Sequence, residues 1–114
     1  MTSNLSDLKC EPCSGKTPKL NSNEIIKYLK KTNNWTVNNE QEMIFKKFNF
    51  KNFKEAIKFI NIVGEIAESE GHHPDISLGW GYSIIMIHTH AIKGLSVNDF
   101  VLASKIDKLD IKKL

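Results

Sequence analysis

The chain reads as an α+β fold: a single four-stranded antiparallel sheet with three helices packed on one face, in the order α-β-β-α-β-β-α. Three observations predict it. Helix start signals followed by apolar residues at helical spacing occur in three stretches, near residues 22–31, 53–70 and 97–109. Between them lie four short stretches in which side chains alternate in character, as strands do. These stretches come in pairs joined by short turns, so antiparallel hairpins are the economical pairing, with the helices covering one face.

The first helix is announced by Leu20-Asn21-Ser22-Asn23-Glu24-Ile25. Asn21 can cap, Glu24 can reach back to complete a capping box, and Leu20 can staple onto Ile25. The helix should run from Ser22 to about Lys31 with Ile25, Ile26 and Leu29 inward. Thr32-Asn33-Asn34 breaks it, Trp35-Thr36-Val37 forms a short strand, and Met43 to Phe50 forms a second.

Asn52-Phe53-Lys54-Glu55 reads as another capping box, opening the longest helix, which should stop at Gly71. Phe53, Ala56, Ile57, Ile60, Val63, Gly64 and Ala67 make the expected inward stripe. A second stripe, Phe59, Ile62 and Ile66, either forms a subunit contact or is covered by another helix. Asp75 to Gly79 and Tyr82 to Thr89 then pair around Trp80-Gly81. Finally Ser96 caps the last helix, with Asp99 three residues on and Leu95 stapled to Phe100.

With 114 residues, 40% of them apolar and 25% charged, the chain can bury a core as one domain, placed at residues 20–114. Residues 1–19 lack periodicity and are expected to form an extended or poorly ordered arm. Cys10 and Cys13 stand there as Cys-x-x-Cys, but a redox motif needs a strand-to-helix setting and a zinc site needs two further ligands. Two unpaired thiols are the expectation. The net charge of +3 is spread along the chain, which gives no reason to expect nucleic acid as a partner. No apolar run approaches the ~20 residues of a membrane helix, and no basic-then-apolar leader opens the chain, so a cytoplasmic location is expected.

All four histidines lie between Glu68 and Asp99. Imidazole titrates near neutrality, so such clustering is what a proton-transfer site needs. His72 and His73 are adjacent and would diverge on extended backbone, but Gly71 and Pro74 allow a bend. Glu68 sits one helical turn before His72 and could orient a ring. Alternation puts Tyr82, Ile84, Met86, His88 and His90 on the sheet face opposite Ile85 and Ile87, so the site should open away from the helices. His88 and His90 could bind a metal with His72 or His73 as a third ligand. Nothing fixes the nearby carboxylates Glu68, Glu70, Asp75 and Asp99 as ligands, and no metal is expected.

Glu68-x-x-x-His72-His73-Pro74, an aromatic at Trp80, and Thr89-His90-x-x-x-Gly94-Leu95-Ser96-x-x-Asp99 with Ala103 closely resemble the pterin-4a-carbinolamine dehydratase family. The likeness extends to the tail with Cys10-x-x-Cys13, the Asn21 to Leu29 helix start, Trp35, and Ile44-Phe45-Lys46-x-Phe48-x-Phe50-x-x-Phe53, which look like the bacterial form. It implies dehydration of 4a-hydroxytetrahydropterin to quinonoid dihydropterin, recycling the cofactor of aromatic amino-acid hydroxylases such as phenylalanine hydroxylase.

By resemblance, His72, His73 and His90 are the family histidines, with Glu68 and Asp99 as supporting acids. His72 and His73 are expected to carry the acid-base work and His90 to position the substrate or the leaving hydroxyl. His72, His73, Pro74, Thr89, His90, Ala91 and Ile92 would contact the pterin. No metal or organic cofactor is implied, and a homodimer or homotetramer is. His88 is not part of the motif, and Trp80 stands where the animal enzymes usually have Tyr. The animal enzyme also serves as a dimerisation cofactor of a homeodomain transcription factor, so a non-catalytic regulatory module on the same fold is the alternative.

Overall fold

The computed structural model describes residues 5–12 and 14–113. Its helices are α1 (Ser22–Leu29), α2 (Phe53–Glu70) and α3 (Val97–Asp107), and its strands are β1 (Thr36–Val37), β2 (Ile44–Asn49), β3 (Asp75–Gly79) and β4 (Tyr82–Ile87). The expected order α-β-β-α-β-β-α is the observed one. The four strands form one antiparallel sheet in the order β1-β2-β4-β3, so α2 carries the chain from β2 across to the far hairpin.

Register fixes which face is buried. Ile44 opposes Ile87, and Phe48 opposes Ser83. All four are buried beneath the helices together with Ile85, whereas Tyr82, Ile84 and Met86 on the opposite face are half-buried. The period of two thus selects one apolar face, as a half-covered antiparallel sheet requires.

Local signals set the helix ends. Asn21 Oδ1 accepts from Glu24 N–H at 2.9 Å and Glu24 Oε1 accepts from Asn21 N–H at 2.9 Å, a complete capping box. At α2 the box is only half made. Asn52 Oδ1 accepts from Glu55 N–H, but the Glu55 carboxylate turns one residue further back and accepts from Lys51 N–H at 3.2 Å. At the other end Gly71 takes φ +66, and the His72 and Gly71 N–H groups donate to the Ala67 and Glu68 carbonyls. This is the bond pair of a Schellman motif, and the left-handed residue it needs is the glycine.

The expected inward stripe of α2 is corrected. Phe59 is fully enclosed and its ring meets Phe48 and Phe50 at centroid distances of 4.6 and 5.1 Å. Phe53 and Ile57, expected inside, are exposed instead. Both stripes are apolar, so periodicity alone could not choose; the aromatic ring faces the two phenylalanines contributed by β2 and the turn after it. A subunit contact through Phe59 is thereby ruled out.

α3 is buried on nearly every side, from Asn98 through Ser104. The segment before α1 supplies the cover. A 3-10 turn, Leu5–Asp7, lies against α3 with Leu5 in the core, and Lys105 Nζ donates to the Ser6 carbonyl at 2.9 Å. Cys10 N–H donates to Glu70 Oε1 at 2.8 Å. Glu11 and Asn98 exchange two bonds, Glu11 N–H to Asn98 Oδ1 at 2.9 Å and Asn98 Nδ2 to the Glu11 carbonyl at 2.8 Å. The Cys-x-x-Cys expectation rests in part on Cys13, which lies outside the described residues.

Candidate active site

The site forms where three chain ends converge: the C-terminus of α2, the end of the β3–β4 hairpin carrying Asp75, and the link from β4 to α3. A cleft of about 340 Å³ opens there, walled by His72, His73, Pro74, Asp75, His88, Thr89, His90 and Ala91 beside Gly71. All four histidines reach it.

His72 is placed by the Schellman turn and points inward, its side chain 6% exposed. Its Nε2 donates to Asp99 Oδ1 at 2.6 Å, and Asp99 is fully enclosed. The carboxylate is held from behind: Oδ2 accepts from Thr89 Oγ1–H at 2.8 Å and from Ser96 N–H at 2.8 Å. Since Thr89 spends its proton on Asp99, the Ser96 hydroxyl donates to Thr89 Oγ1 across 2.9 Å. Asp99 therefore has two roles at once. It closes the first turn of α3, where the helix dipole favours a negative group, and it fixes the His72 ring with Nε2 as the protonated nitrogen.

His73, the next residue, turns out toward solvent, and its Nε2 stands 3.5 Å from Glu68 Oε1. The adjacent histidines thus diverge, one inward and one outward, yet both wall the cleft. His73 and Pro74 also border a second, larger groove that Glu68 lines together with Gly64, Ala67 and Ile76.

The opposite wall differs from its expected form. β4 ends at Ile87, so His88 and His90 are not successive members of one strand face. His90 opens a 3-10 turn, His90–Ile92, held by the pairing of Thr89 with Gly94 and by Lys93 in the left-handed region at φ 50. The turn, not strand alternation, brings the His90 ring back to within 4.0 Å of the His88 ring. The cleft lies at the end of the sheet, between the C-terminus of α2 and the link from β4 to α3, with Asp75 of β3 among its walls. His88 Nε2 sits 3.2 Å from Asp75 Oδ2. The ligand atoms of Asp75, His88 and His90 all fall within 4.8 Å of one another. His72, bound to Asp99, is not in that group.

Most residues expected in the site are together in the cleft, and the exceptions are informative. Glu68 stands at its rim and Asp99 behind its wall. Ile92 does not line it, and Trp80 projects from the turn at the far end of the β3–β4 hairpin. Sequence reasoning named Asp75 among four nearby carboxylates without singling it out; the register Asp75↔Met86 puts it on one sheet face with His88 at diagonal positions. The capping box of Ser96 and Asp99 was expected, but the Thr89 hydroxyl was missed as the second donor to Asp99 Oδ2, because ten residues separate them in sequence.

Residues 18–109 match the family model described as pterin 4 alpha carbinolamine dehydratase. The chain belongs to this family. A protein of Alkaliphilus metalliredigens, provisionally named pterin-4-alpha-carbinolamine dehydratase, is 49% identical over 106 residues, covering 92% of this chain and 95% of that one. One of Rickettsia bellii with the same provisional name is 45% identical over 109 residues, 96% of each chain. Among solved structures, a transcriptional coactivator/pterin dehydratase from Brucella melitensis superposes with a TM-score of 0.74 at 26% identity, covering 78% of this chain and 95% of that one. A pterin dehydratase-like protein described as a RuBisCO assembly factor shares the dehydratase fold alone, with a TM-score of 0.57 at 22% identity. No helix among the described residues is long and apolar enough to cross a membrane.

Proposed function

We propose that this dehydratase-family chain removes water from 4a-hydroxytetrahydropterin, giving quinonoid dihydropterin. The observation that carries the reading is the inner pair His72–Asp99 set beside two outward imidazoles, His73 and His90, in one cleft. In the reaction a base takes the N5 proton of the carbinolamine, the C4a–O bond breaks, and an acid protonates the departing hydroxyl, which leaves as water. No redox change occurs. The task is two proton transfers, at N5 and at the hydroxyl oxygen on C4a beside it, and imidazoles suit both.

His72 and His73 are the acid-base pair of this mechanism, with Asp99 orienting the first ring and Glu68 facing the second. His90 holds the pterin or its hydroxyl from the opposite wall, and Pro74, Thr89 and Ala91 complete the contact surface. The cleft volume of about 340 Å³ is that of a small-molecule site. The physiological place of the reaction is behind an aromatic amino-acid hydroxylase, such as phenylalanine hydroxylase, whose spent pterin it returns.

The test is a stopped assay on enzymatically generated carbinolamine. Wild-type protein should accelerate dehydration, and His73→Ala should lower kcat/KM about 10²- to 10⁴-fold, the usual worth of a positioned acid or base. No acceleration over buffer by the wild-type chain would sink the enzyme reading and leave a regulatory binding module on the same fold.

The oligomer belongs to the same proposal. Phe53 and Ile57 of α2 and Ile76 and Leu78 of the edge strand β3 are all exposed. That surface, in place of the buried Phe59, is the one through which copies associate. Light scattering of Ile57→Glu with Ile76→Glu should give a smaller particle than wild type, and an unchanged mass would remove this contact.

A further inference from the structure

We propose that Asp75, His88 and His90 form a binding site for a borderline divalent cation of the zinc class, built across the outer wall of the cleft. The cation binding itself does not depend on the proposed dehydration.

The three ligands come from separate structural causes that converge. Asp75 opens β3, and its pairing with Met86 places it on the sheet face away from the helices. His88, two residues beyond Met86, falls on the same face and diagonal to it, with 3.2 Å between Oδ2 and Nε2. His90 is folded back by the 3-10 turn until its ring lies 4.0 Å from that of His88.

Distances decide what such a group can hold. Zinc bonds of about 2.0–2.1 Å to nitrogen and oxygen place neighbouring ligand atoms about 3.3 Å apart in a tetrahedron. The Asp75–His88 separation of 3.2 Å already has that length. All separations in the group lie within 4.8 Å, so none has to contract by more than roughly 1.5 Å to meet it. His90 is exposed at the cleft mouth, so its ring can turn that far without moving the core.

Ligand chemistry then selects the cation. Two imidazoles and one carboxylate suit zinc, nickel, cobalt(II) or copper(II), whereas calcium and magnesium prefer all-oxygen shells. One carboxylate against a dication leaves the site short of full neutralisation, and three protein ligands leave a position open to water or to a ligand oxygen. The inner pair does not compete, because His72 is bonded to Asp99 and stands outside the group of ligand atoms.

A consequence follows that does rest on the proposed function. With its nitrogen on the cation, His90 is withdrawn from the pterin, so loading should inhibit turnover and a chelator should restore it.

The experiment uses untagged, chelator-treated and dialysed protein, titrated with zinc chloride by calorimetry and with cobalt(II) by visible absorption. One cation per chain is expected, with the cobalt spectrum of a nitrogen-and-oxygen site. His88→Gln and Asp75→Asn should each weaken binding by at least about tenfold, while His73→Gln changes it by less than about twofold. Circular dichroism and thermal melts of the variants establish that each is folded. Absence of saturable binding, binding unmoved by His88→Gln, or binding abolished by His73→Gln would overturn the site. Zinc that binds as expected without inhibiting carbinolamine turnover would overturn the consequence alone. A chain that binds zinc through His88 but never dehydrates carbinolamine would uphold the site and defeat the proposed function.

Discussion

Two histidine–carboxylate pairs bring their imidazoles to one cleft, and they differ in everything but residue type. His72 and Asp99 meet at 2.6 Å with side chains 6% and 0% exposed, whereas His88 and Asp75 meet at 3.2 Å with side chains 23% and 63% exposed. The buried carboxylate has three donors; the exposed one shares its single histidine contact with solvent. Water decides what each pair can do. In the interior, water does not compete for the contact and Thr89 and Ser96 hold the carboxylate from behind, so the pair fixes a ring. At the surface, solvent screens the same attraction and both groups stay available to an incoming ligand.

The comparison is most exposed to breakage at Asp99. Asp99→Ala strands the His72 ring N–H, the Thr89 hydroxyl and the Ser96 N–H in the interior, and should cost about 3–5 kcal/mol, a large part of the stability of a domain this size. Urea unfolding measures it. A cost no greater than that of Asp75→Ala would end the distinction between the pairs. Asp99→Asn keeps the shape but puts an amide where a carboxylate accepted three bonds, so a folded variant with reduced turnover is expected.

A smaller effect concerns Glu70, next to the Gly71 turn that positions His72. Burial, with the side chain 6% exposed, pushes its pKa upward, but the Cys10 N–H bond and the charges of Lys105 and Lys9 outweigh that and hold it below the usual carboxylate range. A lowered folded-state value means stabilisation above the unfolded-state range and loss of it as pH falls through the folded value. Wild type should thus exceed Glu70→Gln in urea midpoint near neutral pH, with the gap closing in acid. A gap that widens in acid would reverse the sign of this contribution. The smallest change is expected at Asp75→Asn, within about 1 kcal/mol of wild type by the same unfolding measurement, as for an exposed pair.

What the sequence disclosed follows from the same division. Caps, strand alternation and the glycine stop of α2 are local, so the element order and most boundaries could be read from short windows. The histidine cluster was equally visible. The side of α2 that faces the core was not, because Phe59 and Ile57 are both apolar and only β2 decides between them. His90 was misplaced for a related reason: alternation was extended past Ile87, where Thr89–Gly94 pairing and the 3-10 turn take over. Asp75 needed the register of β3 on β4 before it could be seen beside His88. Pairings distant in sequence are what short patterns omit.

The segment ahead of α1 has a bearing on where this molecule can be cut. Cys10 is bonded to Glu70, two residues before His72, and Glu11 to Asn98, one residue before Asp99. The strap therefore clamps both partners of the inner pair from outside, through neighbours that never touch the cleft. A chain trimmed to the stretch that matches the family, residues 18–109, keeps every cleft residue and discards the clamp. Likeness to relatives marks out the chemistry, while the mechanical unit that keeps His72 and Asp99 in register begins earlier.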